Sequence, residues 1–311
     1  TILITLLLYQ SPLLSKSTSF DLFNSKNLAK YFSGIVAFEN KENSIALNYF
    51  NSSKILINQH DPYLEKFVMS LVLENKVAQA INYIKANSKK SNSNFFEAYN
   101  YLGIALKETG QFQSSIKAYE KALSIKSDYV EAHNNLGNVF KELGQLNEAV
   151  DSYQKAISIN SEYPTLQNNL GNALKELGKM DEAVDAYEKA LILNPENPET
   201  HNNLGVALFE TGKLDGAISS YKKALEINPN YAQAYNNLGT SLKDKGEINE
   251  AIKSYNKALN INPNFGDAFN NLGIAQKKLG LLDEAISSFR SAIKINQKDA
   301  DSFNHLGIAF T

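Results

Sequence analysis

A Leu-Gly pair recurs at a strict interval of 34 residues, at Leu102-Gly103, Leu136-Gly137, Leu170-Gly171, Leu204-Gly205, Leu238-Gly239, Leu272-Gly273 and Leu306-Gly307. A period of that length restricts a chain to architectures in which one supersecondary unit stacks on copies of itself. A second ladder, Gly110, Gly144, Gly178, Gly212, Gly246 and Gly280, keeps the same period and leaves only Gly34, Gly216 and Gly266 outside the two series. A third ladder is aromatic and runs Tyr119, Tyr153, Tyr187, Tyr221, Tyr255, Phe289.

Each ladder has a physical reading. The glycine in Glu210-Thr211-Gly212-Lys213 and its equivalents follows a helical stretch and suits the left-handed cap that glycine adopts most cheaply. The glycine after each leucine falls inside that helix, where it costs about 1 kcal/mol relative to alanine. Its recurrence predicts that a neighbouring side chain occupies the missing Cβ's space. Small residues at Ala149, Ala183, Ala217, Ala251 and Ala285, and again seven residues later at Ala156, Ala190, Ala224, Ala258 and Ala292, mark the packed face of a second helix. Asn194-Pro195, Asn228-Pro229 and Asn262-Pro263 close that helix, because the residue before proline is driven out of the α region and proline cannot continue the ladder. One unit therefore reads helix, glycine turn, helix, proline turn, and the chain reads all-α.

This pattern resembles the tetratricopeptide repeat (TPR) family, whose Leu-Gly, turn glycine, alanine, tyrosine, alanine and terminal proline positions are matched from Phe96 to Thr311. The resemblance implies a right-handed superhelical α-solenoid of stacked helix-turn-helix units. Ser127, Ser161 and Gln297 stand where the family has proline, and Ser115 where it has the first small alanine. On this reading residues 95–311 hold six full repeats and the first helix of a seventh. Residues 20–94 form two degenerate repeats, since Gly34, Ala46 and Phe50 keep the phase and Ala80 follows Ala46 by one period; an unrelated helical cap is the alternative there. The terminal helix, with Leu306, Ala309 and Phe310 lacking a partner, leads to the expectation that the natural polypeptide continues past Thr311.

Residues 1–19 are expected to be a signal peptide or an apolar N-terminal segment, truncated because the chain starts at Thr1. The run Ile2 to Tyr9 is far shorter than the roughly 20 residues of a spanning helix, while Ser17 and Ser19 resemble a cleavage region. Export or a periplasmic location follows if that signal is real, and a cytoplasmic one otherwise. No integral membrane span is expected.

The 33 acidic and 31 basic residues give a net charge of -2, which offers no footprint for nucleic acid. Arg290 is the one arginine, so the bidentate forks that suit phosphate and carboxylate are scarce. With no cysteine there is no thiolate nucleophile, disulfide framework or cysteine zinc site. The chain contains no GxxxxGK[ST] loop, GxSxG elbow or HExxH helix, and no cofactor, metal or catalytic residue is assigned.

In stacked repeats the first helices line the concave wall, which binds extended segments. Asparagine pairs precede the leucine at Asn134-Asn135, Asn168-Asn169, Asn202-Asn203, Asn236-Asn237 and Asn270-Asn271. Their carboxamides, each with two donors and an acceptor, could grip the amides of an extended peptide with little regard for its sequence. The column resembles the asparagine ladder in the TPR arm of O-linked N-acetylglucosamine transferases and Spindly-type proteins. That resemblance makes Asn135, Asn169, Asn203, Asn237 and Asn271 candidate peptide-binding residues, with Asn138 and Asn172 beside them, and breaks the ladder at Tyr101 and His305. The competing reading is that these asparagines satisfy local backbone groups.

Glu108, Glu142, Glu176, Glu210 and Asp244, alternating with Lys107, Lys141, Lys175 and Lys243, argue against capture of a peptide's terminal carboxylate and for a solvated charged face. His133 and His201 lie two repeats apart, too far to share a metal. The function expected is a non-catalytic scaffold for a protein or peptide partner in extended conformation. The alternative is the substrate-recognition arm of a glycosyltransferase whose catalytic domain lies beyond this sequence. Oligomeric state is not legible.

Overall fold

The structure, a computed structural model, describes residues 25–52, scattered positions between 67 and 82, 95–297 and 300–309. The expected signal segment lies outside the described residues. Every regular element among the described residues is an α-helix, and the chain divides into two compact units, residues 1–160 and 161–311. The first unit holds α1 (Ser25–Glu39), α2 (Asn43–Ser52), α3 (Phe95–Glu108), α4 (Phe112–Ile125), α5 (Val130–Glu142) and α6 (Leu146–Ile159). The second holds α7 (Pro164–Glu176), α8 (Met180–Leu193), α9 (Pro198–Glu210), α10 (Leu214–Ile227), α11 (Ala232–Asp244), α12 (Ile248–Ile261), α13 (Gly266–Lys278), α14 (Leu282–Ile295) and α15 (Ala300–Ala309).

Within each unit consecutive helices pack as pairs, α3 with α4 or α7 with α8, and the second helix of one pair packs on the first helix of the next. The turn glycines set this geometry. Gly110, Gly144, Gly178, Gly212, Gly246 and Gly280 all have φ between 72° and 91°, the left-handed region that costs an L-residue about 1–2 kcal/mol. At Gly178 the backbone closes a Schellman motif, with Gly178 N donating to Lys175 O at 2.9 Å and Lys179 N to Leu174 O at 2.9 Å. In the first unit Lys41, at φ 62°, takes the same place between α1 and α2, with Lys41 N donating to Phe38 O and Glu42 N to Ala37 O, both at 2.9 Å.

The glycines inside the first helices have the neighbour that the sequence predicts. A Cβ on Gly205 would stand 2.6 Å from the ring of Tyr221, and the same clash meets Gly103, Gly137, Gly171, Gly239 and Gly273. Each ring is buried between the two columns of alanine, which are themselves almost wholly buried. Gly34 repeats the contact at 2.6 Å from Phe50. Ser115 keeps the alanine position by donating its hydroxyl to Gly103 O at 2.6 Å, which removes the cost of burying it.

The second helices stop where proline requires. After Leu193, Ile227 and Ile261 the backbone leaves the helix at Asn194, Asn228 and Asn262. Each of these side chains accepts from the amide two residues on, at 3.3, 3.1 and 3.1 Å, the Asx turn that favours asparagine there. Pro164 and Pro198 open α7 and α9 in the first turn, where a missing N–H has no cost.

Candidate functional site

The paired asparagines sit on α5, α7, α9, α11 and α13, and their side chains bond mainly to one another rather than to local backbone. Asn135 Nδ2 donates to Asn100 Oδ1 at 3.1 Å in the first unit. In the second unit Asn237 Nδ2 donates to Asn202 Oδ1 at 3.0 Å and Asn271 Nδ2 to Asn236 Oδ1 at 3.0 Å. In each case the second asparagine of one repeat reaches the first asparagine position of the repeat before it. The acceptors Asn100, Asn202 and Asn236 are buried, at 3, 5 and 6 % exposure, whereas the donors are half-buried. A buried carbonyl is thus satisfied, while the donor amide keeps a second N–H.

One rung is displaced. Thr200 Oγ1 donates to Asn168 Oδ1 at 3.1 Å, and Asn203 Nδ2 turns instead to Asn172 Oδ1 at 3.2 Å. Asn172 also accepts from the Tyr187 hydroxyl at 2.7 Å, just as Asn138 accepts from Tyr153 at 2.7 Å. In the second unit Val206, Thr240 and Ile274 follow Asn172 in its column, and Thr240 takes a longer bond from Tyr255 at 3.3 Å. Of the residues predicted from sequence, Asn172 and Asn203 are therefore in direct contact. Asn135, Asn237 and Asn271 are anchored to residues outside the predicted set, and Asn169 is half-buried.

His305 continues the series that the sequence pattern ends there. Its Nδ1 lies 3.0 Å from Asn270 Oδ1, the same step of 35 residues, and its ring stacks on Phe289 at 5.6 Å. The signal for these missed partners is arithmetic: one period plus one residue separates donor from acceptor, a relation hidden when each column is read alone. His133 and His201 bond backbone carbonyls six residues back, Ser127 O at 3.0 Å and Pro195 O at 2.9 Å. They pin the loop entering each first helix. Among the described residues no group of three or more His, Cys, Asp or Glu is placed to hold a metal.

The charged edge is built from ion pairs. Lys107 reaches Glu142 of the next repeat at 2.6 Å, and Lys243 pairs with its neighbour Asp244 at 2.7 Å. Burial raises the tyrosine hydroxyls of the aromatic ladder: Tyr255 is pushed up to about 12, and Tyr119, Tyr187 and Tyr221 are raised likewise. These phenols remain protonated core groups at ordinary pH.

Helix pairs stacked within each unit, with hydrogen-bonded asparagines on their first helices, define a helical repeat scaffold, a class that binds other proteins. Comparison with known proteins gives the family. The TPR repeat model matches residues 103–144, 137–178, 171–212, 207–246 and 239–280, and a tetratricopeptide repeat model matches 266–299. The chain belongs to the tetratricopeptide repeat family. Among solved structures it is similar to MamA, with 29% identity, 51% of this chain and 94% of that one covered, and a TM-score of 0.50. It is also similar to YrrB, described as a TPR protein with an unusual peptide-binding site, with 25% identity, 61% and 97% covered, and a TM-score of 0.52. Pseudomonas aeruginosa pilF shares the fold at 22% identity, with 68% and 97% covered and a TM-score of 0.60. A search of the curated proteins finds no match. No helix among the described residues is long and apolar enough to cross a membrane.

Proposed function

We propose that this chain is a non-catalytic scaffold that holds an extended polypeptide along the face of its first helices, and that residues 20–94 add two degenerate repeats to it. The observation that carries the reading is the anchoring of half-buried carboxamides that are not closed off from solvent. Asn135, Asn203, Asn237 and Asn271 each spend one N–H on an asparagine of the preceding repeat and keep another for a ligand. Held in this way, the amides lose little rotamer freedom when a peptide arrives, which lowers the cost of binding. Similarity to YrrB, described as a TPR protein with an unusual peptide-binding site, supports a peptide as the class of ligand.

The test is capture of unstructured peptides from a display library by the wild type and by a triple variant, Asn169→Ala, Asn203→Ala and Asn237→Ala. At about 0.5–1.5 kcal/mol per hydrogen bond, affinity falls at least about tenfold while helical circular dichroism is retained. Asn236→Ala is the control: it lowers stability and frees Asn271 from its anchor but retains every predicted ligand-facing amide, so it costs less affinity than the triple variant. Equal losses in the triple variant and the control would show the asparagines to be structural alone.

A further inference from the structure

On the side of the second unit formed by its second helices, a cleft of about 440 Å³ opens between α10 and α12 over α11. Its apolar floor is the exposed edge of the core residues Leu225, Leu238 and Leu242, otherwise buried, with the ring of Tyr235 beside them. The rim is charged, and the pairing of those charges is uneven. Glu226 is bonded by Lys223 at 2.9 Å, Glu247 by Lys245 at 3.0 Å and Glu250 by Lys253 at 2.6 Å. Every lining carboxylate therefore has an ammonium partner, and two of those partners come from outside the cleft. Lys222 and Lys257 line the cleft as well and make no ion pair with a carboxylate among the described residues. Lys257 stands over the Tyr235 ring, 5.3 Å from its centre.

The combination of residues on this rim is specific to its place in the stack. The column of Lys222 carries Glu120, Gln154, Glu188 and Asn256 in other repeats and is basic again only at Arg290; the column of Lys253 carries Lys117, Asp151, Asp185, Ser219 and Ser287, and Lys257 recurs as Lys121, Lys155, Lys189 and Lys223. Two positions that are acidic or neutral in the adjoining repeats are thus lysine where the cleft opens, and the Tyr235 column holds His201 one repeat earlier. Repeat architecture alone requires none of these three changes.

We propose that this cleft is a second docking site, separate from the asparagine face, for a short acidic amphipathic segment of a partner protein. An apolar side chain of that segment enters against Leu225, Leu238 and Leu242, and carboxylates on either side of it pair with Lys222 and Lys257. Charge complementarity selects the ligand: two ammonium groups without carboxylates flank an apolar floor, whereas a cationic segment would have to displace the lysines paired with the three carboxylates. Tyr235 supplies a flat wall and holds Lys257 over its ring through the cation–π contact, so that the ammonium is in place before the partner arrives.

The experiment pans a random peptide display library on the full chain and re-screens each captured peptide against K222E/K257E and K222R/K257R. Both lysines are exposed, so neither pair of changes disturbs the fold, and unchanged circular dichroism verifies this. The expected result is a set of peptides rich in Asp and Glu around one or two apolar residues. Their binding falls about tenfold or more in K222E/K257E, as for exposed pairs lost and replaced by repulsion. It survives in K222R/K257R, weakens with added salt and is unchanged by Asn203→Ala/Asn237→Ala. A library yielding no peptide sensitive to the two reversals overturns the proposal. So does a sensitive set without an excess of acid, or one that the asparagine substitutions abolish; the last would assign the binding to the first-helix face instead.

Discussion

Gly34 lies against Phe50 as Gly205 lies against Tyr221, each too close for a Cβ, yet the two helix pairs differ in nearly everything around that contact. In α1–α2 the left-handed turn residue is Lys41 rather than glycine. Tyr31 and Phe32 occupy the places where later first helices carry paired asparagines. Tyr31 is buried and its ring sits 6.4 Å from that of Phe50, so an aromatic fills space that Asn202 and Asn236 fill with hydrogen-bonded amides. The comparison separates what makes a helix pair from what decorates it. The glycine–aromatic contact and the small residues around it suffice for the pair. The turn glycine adds ease of closure, and the asparagines serve the junction between pairs and the face beside it.

Alkaline titration gives the largest expected contrast. An unfolded tyrosine ionises near 10.0, whereas burial holds the proton on Tyr255 to about 12. Above pH 10 the unfolded chain therefore carries fewer protons than the folded one, and stability falls as pH rises through this window; below it the contribution is fully present. Each tenfold change in a phenol's acidity corresponds to about 1.4 kcal/mol, and Tyr119, Tyr187 and Tyr221 are displaced in the same direction. Circular dichroism should show the strict repeats melting between pH 10 and 12. Tyr221→Phe with Tyr255→Phe should move the midpoint upward, as Phe50 and Phe289 already lack the hydroxyl at this position. An unmoved midpoint would mean that other groups drive the transition.

A smaller effect tests whether the shared contact is equally tight in the two regions. Gly205→Ala forces a methyl into the Tyr221 ring, an overpacking cost of about 1–3 kcal/mol, less about 1 kcal/mol from the better helix propensity. Chemical denaturation should record a net loss for both Gly205→Ala and Gly34→Ala. A gain at Gly34 alone would show that Phe50 yields where Tyr221 does not. The smallest effect concerns the turn. Lys41→Gly should stabilise α1–α2 by about 1 kcal/mol and Gly178→Ala should destabilise the second unit by about as much. Melting curves that move in the same direction for both would contradict the assignment of residue 41 to the turn-glycine position.

Much of this was legible in the residues. Glycine in a helix advertises a close neighbour, and glycine after a helix a left-handed cap, because few other causes make either residue recur. The aromatic ladder announces its burial by sitting between two columns of alanine. What could not be read was the direction of the asparagine bonds. Asn237 follows Asn236 in sequence, but its Nδ2 reaches Asn202, since side chains on stacked first helices meet across repeats as well as along one helix. For the same reason His305 looks like a break in a column of amides, although its ring nitrogen makes the equivalent bond to Asn270. Lys41 is hidden too, because nothing in the identity of a lysine marks a positive φ. The cleft between α10 and α12 was equally silent: lysines are common on the surface, and Lys222 is unusual only against its own column.

The glycine–tyrosine contact lies wholly within one helix pair, whereas the asparagine bond always joins two. In the language of one-dimensional lattices, the first sets the energy of a site and the second contributes to the coupling between sites. Different columns of the repeat write these two quantities, so they can vary independently. Removing Asn236 leaves each pair intact while loosening its bond to the next, whereas altering Gly205 weakens a single site. Over a chain of repeats the coupling decides how far a local opening spreads, so the amide rungs help determine whether one end frays alone or takes its neighbours with it.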